Sequence, residues 1–286
     1  MAIKGKLLIW TLRAIPKGLW SRFMGALAHL ERPRPLILKG MRWFSARYGL
    51  ALDEAEHPIE HYKSVGDLFT RRLKEGTHDV CADAGAAVSP ADGHVLNSGR
   101  ISDGRLIQCK GHDFHLSDLL ADPEAAERFM GGSWVTVYLS PRDYHRVHHP
   151  IEGTFRYSDY QSGKLWPVNQ AAVENVRALF CVNERVITYV DSPIGEVATI
   201  MVGATAVGHI STRHLPELHS NHGHRSGQYA LDEERRFERA EELGTFHLGS
   251  TAIVLFANPE VTLEPLEDGQ PIRLGAPIAR GSVEES

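Results

Sequence analysis

The sequence has little cysteine, no long apolar run and, over its first fifty residues, almost no acid, and each shortage removes a class of protein. Three cysteines in 286 residues, Cys81, Cys109 and Cys181, make no CxxC pair. This leaves neither a disulfide framework nor a thiolate zinc site and points to a reducing, cytoplasmic compartment. In the N-terminal region uncharged stretches such as Leu7 to Leu12 are far short of the roughly 20 apolar residues of a spanning helix. No signal-peptide core with a small-residue cleavage site follows it, so neither membrane crossing nor export is expected. The first fifty residues hold ten Lys or Arg and one acid, Glu31; with a net charge of -5 for the whole chain, the rest carries about -14. An acidic body argues against wholesale nucleic-acid binding, which needs clustered cations over the docking face.

What the N-terminal region does contain is Lys4, Lys6, Arg13, Lys17 and Arg22 set among Leu7, Leu8, Ile9, Trp10, Leu12, Ile15, Leu19, Trp20 and Phe23, with Trp43 further on. Helical patterning covers about 3–30 and 36–50, broken at Pro33 and Pro35, which cannot continue a helix. Such a helix pair suits a membrane surface, with indoles at headgroup depth and cations facing anionic lipid, each contributing about 1 kcal/mol. The plainer alternatives are a basic amphipathic helix packed on its own domain, or one that binds a partner. Residues 1–50 are set apart as a membrane-associating region, ahead of one domain over 51–286.

From Ala87 onward short β-rich runs dominate. Trp134 to Leu139 alternates as a strand, Arg185–Val190 and Glu196–Val202 flank the turn formers of Asp191-Ser-Pro-Ile-Gly195 as a hairpin, and Thr251–Ala257 is a further strand. Helices are expected at Pro123–Phe129, at Asn169–Phe180 and, highly charged, at Leu231–Leu243. The fold class is α+β, with mixed, mostly antiparallel sheets and peripheral helices. There is no internal repeat. His209, His214, His219, His222 and His224 cluster in a loop, but their spacing fits no ligand template and no acid or Cys completes a set, so no metal is assigned.

Three segments carry chemistry: Ser89-Pro-Ala-Asp92-Gly93, Ser140-Pro-Arg142-Asp143-Tyr144-His145-Arg146-Val147-His148, and His247-Leu-Gly249-Ser250-Thr251. A serine hydroxyl is a poor nucleophile until a histidine takes its proton and a carboxylate steadies that histidine. Asp92, His148 and Ser250 have the types for these roles. Taken singly, Asp92 reads as a turn residue, Ser250 as a strand entrance and the histidines as surface groups.

Together and in this order, the three segments resemble those of the bacterial membrane phosphatidylserine decarboxylases. Phe69-Thr-Arg71, Cys109-Lys110-Gly111-His112, the run from Gly163 to Asn169, Asn183-Glu184-Arg185-Val186 and Val202-Gly203-Ala204-Thr205 are also similar to family stretches, so the likeness runs from about residue 60 to 265. The resemblance implies self-cleavage between Gly249 and Ser250, giving a β chain of residues 1–249 and an α chain of residues 250–286 held as a heterodimer, with further oligomerisation expected. His148 would take the Ser250 proton, with Asp92 orienting it, and Ser250 would end as a pyruvoyl group, the cofactor of the family. That ketone would condense with the amine of phosphatidylserine, stand in for pyridoxal phosphate as electron sink and release phosphatidylethanolamine. His145 is the implied proton donor, and the enzyme would sit peripherally on the cytoplasmic side of the cell membrane.

Gly249 has no side chain to obstruct attack on its carbonyl, and Ser250 holds its Oγ beside it. Arg142 and Arg146 could hold a phosphate or carboxylate or form internal ion pairs, Tyr144 is a packing residue, and Leu165, Trp166 and Val168 could meet acyl chains or simply lead into a helix. The histidine-rich run and a tail of 37 residues after and including Ser250 depart from the family. Two rivals remain: an uncut serine hydrolase using the same three residues, against which stands the absence of a Gly-x-Ser-x-Gly elbow, and a membrane-tethered scaffold in which the segments are only turns.

Overall fold

A computed structural model of the chain describes residues 24–109, 112–204, 209–218, 220, 225–247 and 250–283. Trp10, Trp20 and the basic residues up to Arg22, together with Lys110, Gly111, Thr205, His219, His222, His224 and Gly249, lie outside the described residues. After a helical stretch at residues 24–28 come helices α1 (Arg34–Tyr48) and α2 (Val65–Phe69). Strands β1 (Ala86–Val88), β2 (Gly93–Arg100), β3 (Arg105–Cys109) and β4 (His112–His115) follow, then α3 (Leu116–Leu120), α4 (Pro123–Arg128), β5 (Ser133–Leu139), β6 (Arg146–His148) and β7 (Gly153–Gln161). After α5 (Gln170–Asn175) and α6 (Leu179–Val182) come β8 (Arg185–Ser192), β9 (Gly195–Gly203), β10 (Ile210–Thr212), β11 (Gly227–Tyr229), β12 (Arg236–Phe237) and β13 (Glu242–Phe246). The chain ends in β14 (Ser250–Phe256), β15 (Thr262–Leu263), β16 (Pro271–Ile272) and β17 (Pro277–Arg280). The architecture is α+β with antiparallel sheets and peripheral helices, as the pattern predicts.

The main sheet runs β11-β7-β8-β9-β14-β5-β2-β16, with β12 also on β7. β14 lies at its centre, and Ser250 opens it, paired to Leu139 on β5 and to Gly203 on β9. All seven of its residues are buried, because Ile253 and Leu255 enter one apolar cluster under α3–α6 while Val254 and Phe256 enter another on the opposite face. A strand buried on both faces reads as a continuous apolar run rather than an alternation. Two small sheets, β1-β17-β15 and β10-β13-β6, flank it. The second carries the histidine segment on β6 and packs through Val147, Leu243 and Phe246 against Leu139, Met201 and Ala252.

Three local expectations are corrected. The helix begins at Arg34, with Pro35 inside its first turn, where a missing N–H costs nothing. The helix expected over 169–180 is two, α5 and α6, parted where Ala178 takes a φ of 49°. Gln108 splices the break: its Nε2 donates to the Val173 and Val176 carbonyls and its Oε1 accepts from Leu179 N. The charged helix expected at Leu231–Leu243 does not form; that stretch holds β12 and the start of β13. Its charges pair with neighbours instead, Arg235 with Glu241 and Arg239 with Glu152, while Phe237 is buried against His149, ring centroids 4.0 Å apart.

Candidate active site

The three segments converge. Gly93 starts β2 so close to β5 that a Cβ there would lie 2.3 Å from the Tyr138 carbonyl, so only glycine brings the Asp92 turn to the sheet. The Pro90 carbonyl of that turn accepts from His148 N at 2.8 Å. In the next segment Asp143 closes a turn by accepting from Ser140 N and Ser140 Oγ, both at 2.7 Å, and the chain then enters β6. Phe246 N, near the end of β13, donates to the His145 carbonyl at 2.9 Å, which ties the segment before Ser250 to the histidines.

His148 Nδ1 lies 2.7 Å from the Ala240 carbonyl. A carbonyl only accepts, so Nδ1 carries the proton and Nε2 keeps a lone pair. That Nε2 is buried with no hydrogen-bond partner among the described residues. Burial lowers the His148 pKa, against the opposing Ala240 bond, so the ring is a neutral base at neutral pH. His145 repeats the pattern deeper: Nδ1 on the Asp143 carbonyl at 2.8 Å, Nε2 buried without a partner, the ring 3.8 Å from that of Phe69. Burial pushes its pKa down to about 3, helped by the charge of Arg71. Ser250 is wholly buried, and its Oγ likewise has no hydrogen-bond partner among the described residues.

Asp92 stands apart from His148. Its Oδ1 accepts from Leu274 N and from His78 Nε2, each at 2.8 Å. Burial raises its pKa, but the bond and charge of His78 outweigh this and the net shift is downward. Tyr144, its pKa raised to about 12 by burial, lies near both His78 and His148, with ring centroids 6.0 and 5.8 Å away. The group that orients His148 here is the Ala240 carbonyl.

Arg146 forms an internal ion pair with Glu242 at 2.7 Å and donates to the Thr70 carbonyl, while Arg142 touches His94 and Asp143. Leu165, Trp166 and Val168 are buried, and Asn183 clamps Trp166 through both its backbone groups, so they belong to the core rather than to a surface that meets acyl chains. His209 stacks on His247, centroids 3.8 Å apart, and His214 is bonded to Ser158. Among the described residues no group of three or more His, Cys, Asp or Glu could hold a metal ion.

The family model described as phosphatidylserine decarboxylase matches residues 65–280. Proteins named phosphatidylserine decarboxylase proenzyme are similar over nearly all of the chain. That of Myxococcus xanthus is 41% identical over 93% of this chain and 95% of its own length. Those of Anaeromyxobacter sp. (strain K) and Pseudomonas aeruginosa (strain LESB58) are 39% and 40% identical over 96% and 98% of this chain, each covered to 98%. The chain belongs to the phosphatidylserine decarboxylase family. It is therefore a decarboxylase, and the matched span takes in Asp92, His145, His148 and Ser250. Around these convergent segments, sequence reasoning missed Glu242, which pairs with Arg146 and supplies a negative charge acting on His148. It also missed His78 on Asp92 and the Ala240 carbonyl on His148. A carbonyl carries no residue-type signal, and Glu242 was absorbed in the expected helix.

Proposed function

We propose that the chain is a phosphatidylserine decarboxylase that makes its own cofactor, cutting itself between Gly249 and Ser250 and converting Ser250 to a pyruvoyl group. The observation that carries this is the idle hydroxyl. Ser250 Oγ is buried without a partner at the head of the central strand, a state that costs about 1–3 kcal/mol and is explained if the hydroxyl is consumed. His148 takes the Oγ proton on Nε2. The oxygen attacks the Gly249 carbonyl, forming a C–O bond as the C–N bond breaks and the nitrogen is protonated. Elimination then frees the Gly249 carboxyl, and the nitrogen of residue 250 leaves as ammonia while one water is consumed. Asp92, pinned by Leu274 N and His78, fixes the turn whose Pro90 carbonyl holds His148 N.

The pyruvoyl ketone supplies an electrophile for the amine of phosphatidylserine and a sink for the electrons left by carbon dioxide. His145 serves the proton traffic of that step. The substrate brings its own negative charges beside the ring, which raise the His145 pKa above that of the empty site, so that Nε2 can take the proton the ammonium sheds and return it to the carbon left by decarboxylation. The product would be phosphatidylethanolamine.

A diacyl lipid does not leave its bilayer readily, so the enzyme must come to it. Among the described residues no helix is long and apolar enough to cross a membrane. Leu36 and Trp43, seven residues apart on one face of α1, are 63% and 65% exposed, and Lys39 and Arg47 are exposed with them. We assign this face, with the rest of residues 1–50, to peripheral docking on anionic lipid at the cytoplasmic side, ahead of a catalytic domain over 51–286 whose two chains stay together. Replacing Ser250 with Ala leaves one uncut chain that releases no carbon dioxide from phosphatidylserine. An active Ser250→Ala protein would refute the proposal.

A further inference from the structure

Arg71 belongs to the Phe69-Thr70-Arg71 segment, which the chemistry above leaves unused. Its side chain is 3% exposed. Only Nη2 is engaged, on the Arg142 carbonyl at 3.0 Å; Nε and Nη1 are buried with no hydrogen-bond partner among the described residues. The neighbouring cations are neutralised: Arg72 and Arg146 share Glu242, Arg142 reaches Asp143 and Arg273 pairs with Glu54. Arg71 takes part in none of these pairs. A guanidinium does not lose its proton at neutral pH; Asp92, Asp143 and Glu54 act on Arg71 through their charge but none forms an ion pair with it among the described residues, and a buried cation without a paired anion is strongly unfavourable. Its surroundings are therefore incomplete.

Two cavities share this residue and no other. One, about 570 Å³, is lined also by Arg72, Arg146 and His247, the last of these three residues before Ser250. The other, about 290 Å³, is lined also by Asp92 and Tyr144. Phe69 lies against His145, ring centroids 3.8 Å apart, and the His145 ring feels the Arg71 charge. Arg71 thus lines both cavities beside the proposed proton carrier, the larger one reaching the Ser250 segment, while its two unfilled donors are themselves buried.

We propose that Arg71 binds the phosphodiester of the substrate headgroup, fixing the aminophospholipid class of substrate beside His145. This assignment rests on the decarboxylase reading above. The phosphodiester is favoured over the carboxylate by the chemistry. A cation held against the carboxylate would stabilise the group that must depart as neutral carbon dioxide and so oppose the reaction, whereas the phosphodiester keeps its charge from substrate to product. Charge-assisted bonds from a guanidinium to phosphate oxygens are strong and directional.

The test uses the full chain carrying Arg71→Gln or Arg71→Lys. Intact mass should show both variants cut as the parent is, and co-sedimentation with phosphatidylcholine vesicles containing phosphatidylserine should be unchanged, since Arg71 is not on the docking face. The KM for phosphatidylserine should rise by at least about tenfold for Arg71→Gln, less for Arg71→Lys, with kcat changing far less. Glycerophosphoserine should inhibit the parent competitively and lose this effect in Arg71→Gln. An unchanged KM overturns the assignment. Inorganic phosphate that depends on Arg71 while the lipid KM does not would make this a free-phosphate site and also overturn it. Should Arg71→Gln fail to fold, calorimetry on the uncut Ser250→Ala chain decides: glycerophosphoserine binding supports the site, and no binding overturns it. Failure of the decarboxylase reading would show separately, as an uncut or inactive parent.

Discussion

At the residue scale the site depends on two histidines locked in one tautomer by backbone carbonyls, each leaving Nε2 bare. Their depths differ in consequence. His148→Ala should leave the chain uncut, whereas His145→Ala should still cut and lose decarboxylation by about 100-fold or more; gel mobility and carbon dioxide release separate the two, and the opposite pattern would exchange their roles. The segments of these histidines, Asp92 and Ser250, which the structure brings together, stand out in the sequence because each has distinctive neighbours. Arg71 was seen only as part of a family-like stretch, and His78 and Glu242 not at all. Their partners lie outside any local pattern, from 14 residues away for His78 and Asp92 to 96 for Arg146 and Glu242, and a lone charged residue gives no hint of such a partner.

At the element scale the central strand and the β8–β9 hairpin were readable because apolar runs and a Pro–Gly turn are local signals. The two helix errors have a common cause: tertiary partners overrode local pattern. Gln108 on β3 holds three backbone groups across the α5–α6 break, and Arg239 turns to Glu152 rather than along a helix. Gln108→Leu should therefore leave three buried backbone groups unsatisfied and destabilise the fold by at least about 3 kcal/mol, read as a lower urea midpoint with an unchanged slope. A loss near zero would mean that the break is held by packing alone.

At the scale of the whole molecule, buried neutral histidines set the response to acid. His145 and His149 are pushed to about 3 and His214 to about 4 by burial, and His148 is lowered from 6.5. Below that ordinary value the unfolded chain binds protons that the folded chain refuses. Stability should fall as pH drops below about 6.5, by up to about 1.4 kcal/mol per pH unit for each such histidine, and these groups should have no effect above it. Urea midpoints from about pH 8 to about pH 5 would test this, and a flat profile would contradict it. The proposed membrane face acts at the same scale. Losing Leu36 and Trp43 to Ala together should weaken binding to phosphatidylserine vesicles by about tenfold or more, since each large apolar side chain is worth about 1.5–3 kcal/mol of transfer, while self-cleavage proceeds. The basic charge and the indoles suggest this face in the sequence, and its docking role is the proposal that the vesicle measurement tests; how α1 packs through Met41 onto Leu68 gives no signal there.

Everything turns on whether the protein breaks its own backbone at Ser250. Intact-mass measurement of the purified, lipid-active protein is the most direct test. The predicted result is two chains, the smaller beginning at position 250 and lighter by one ammonia than a serine-ended fragment. A single unbroken chain with an unmodified serine and full decarboxylase activity would contradict it.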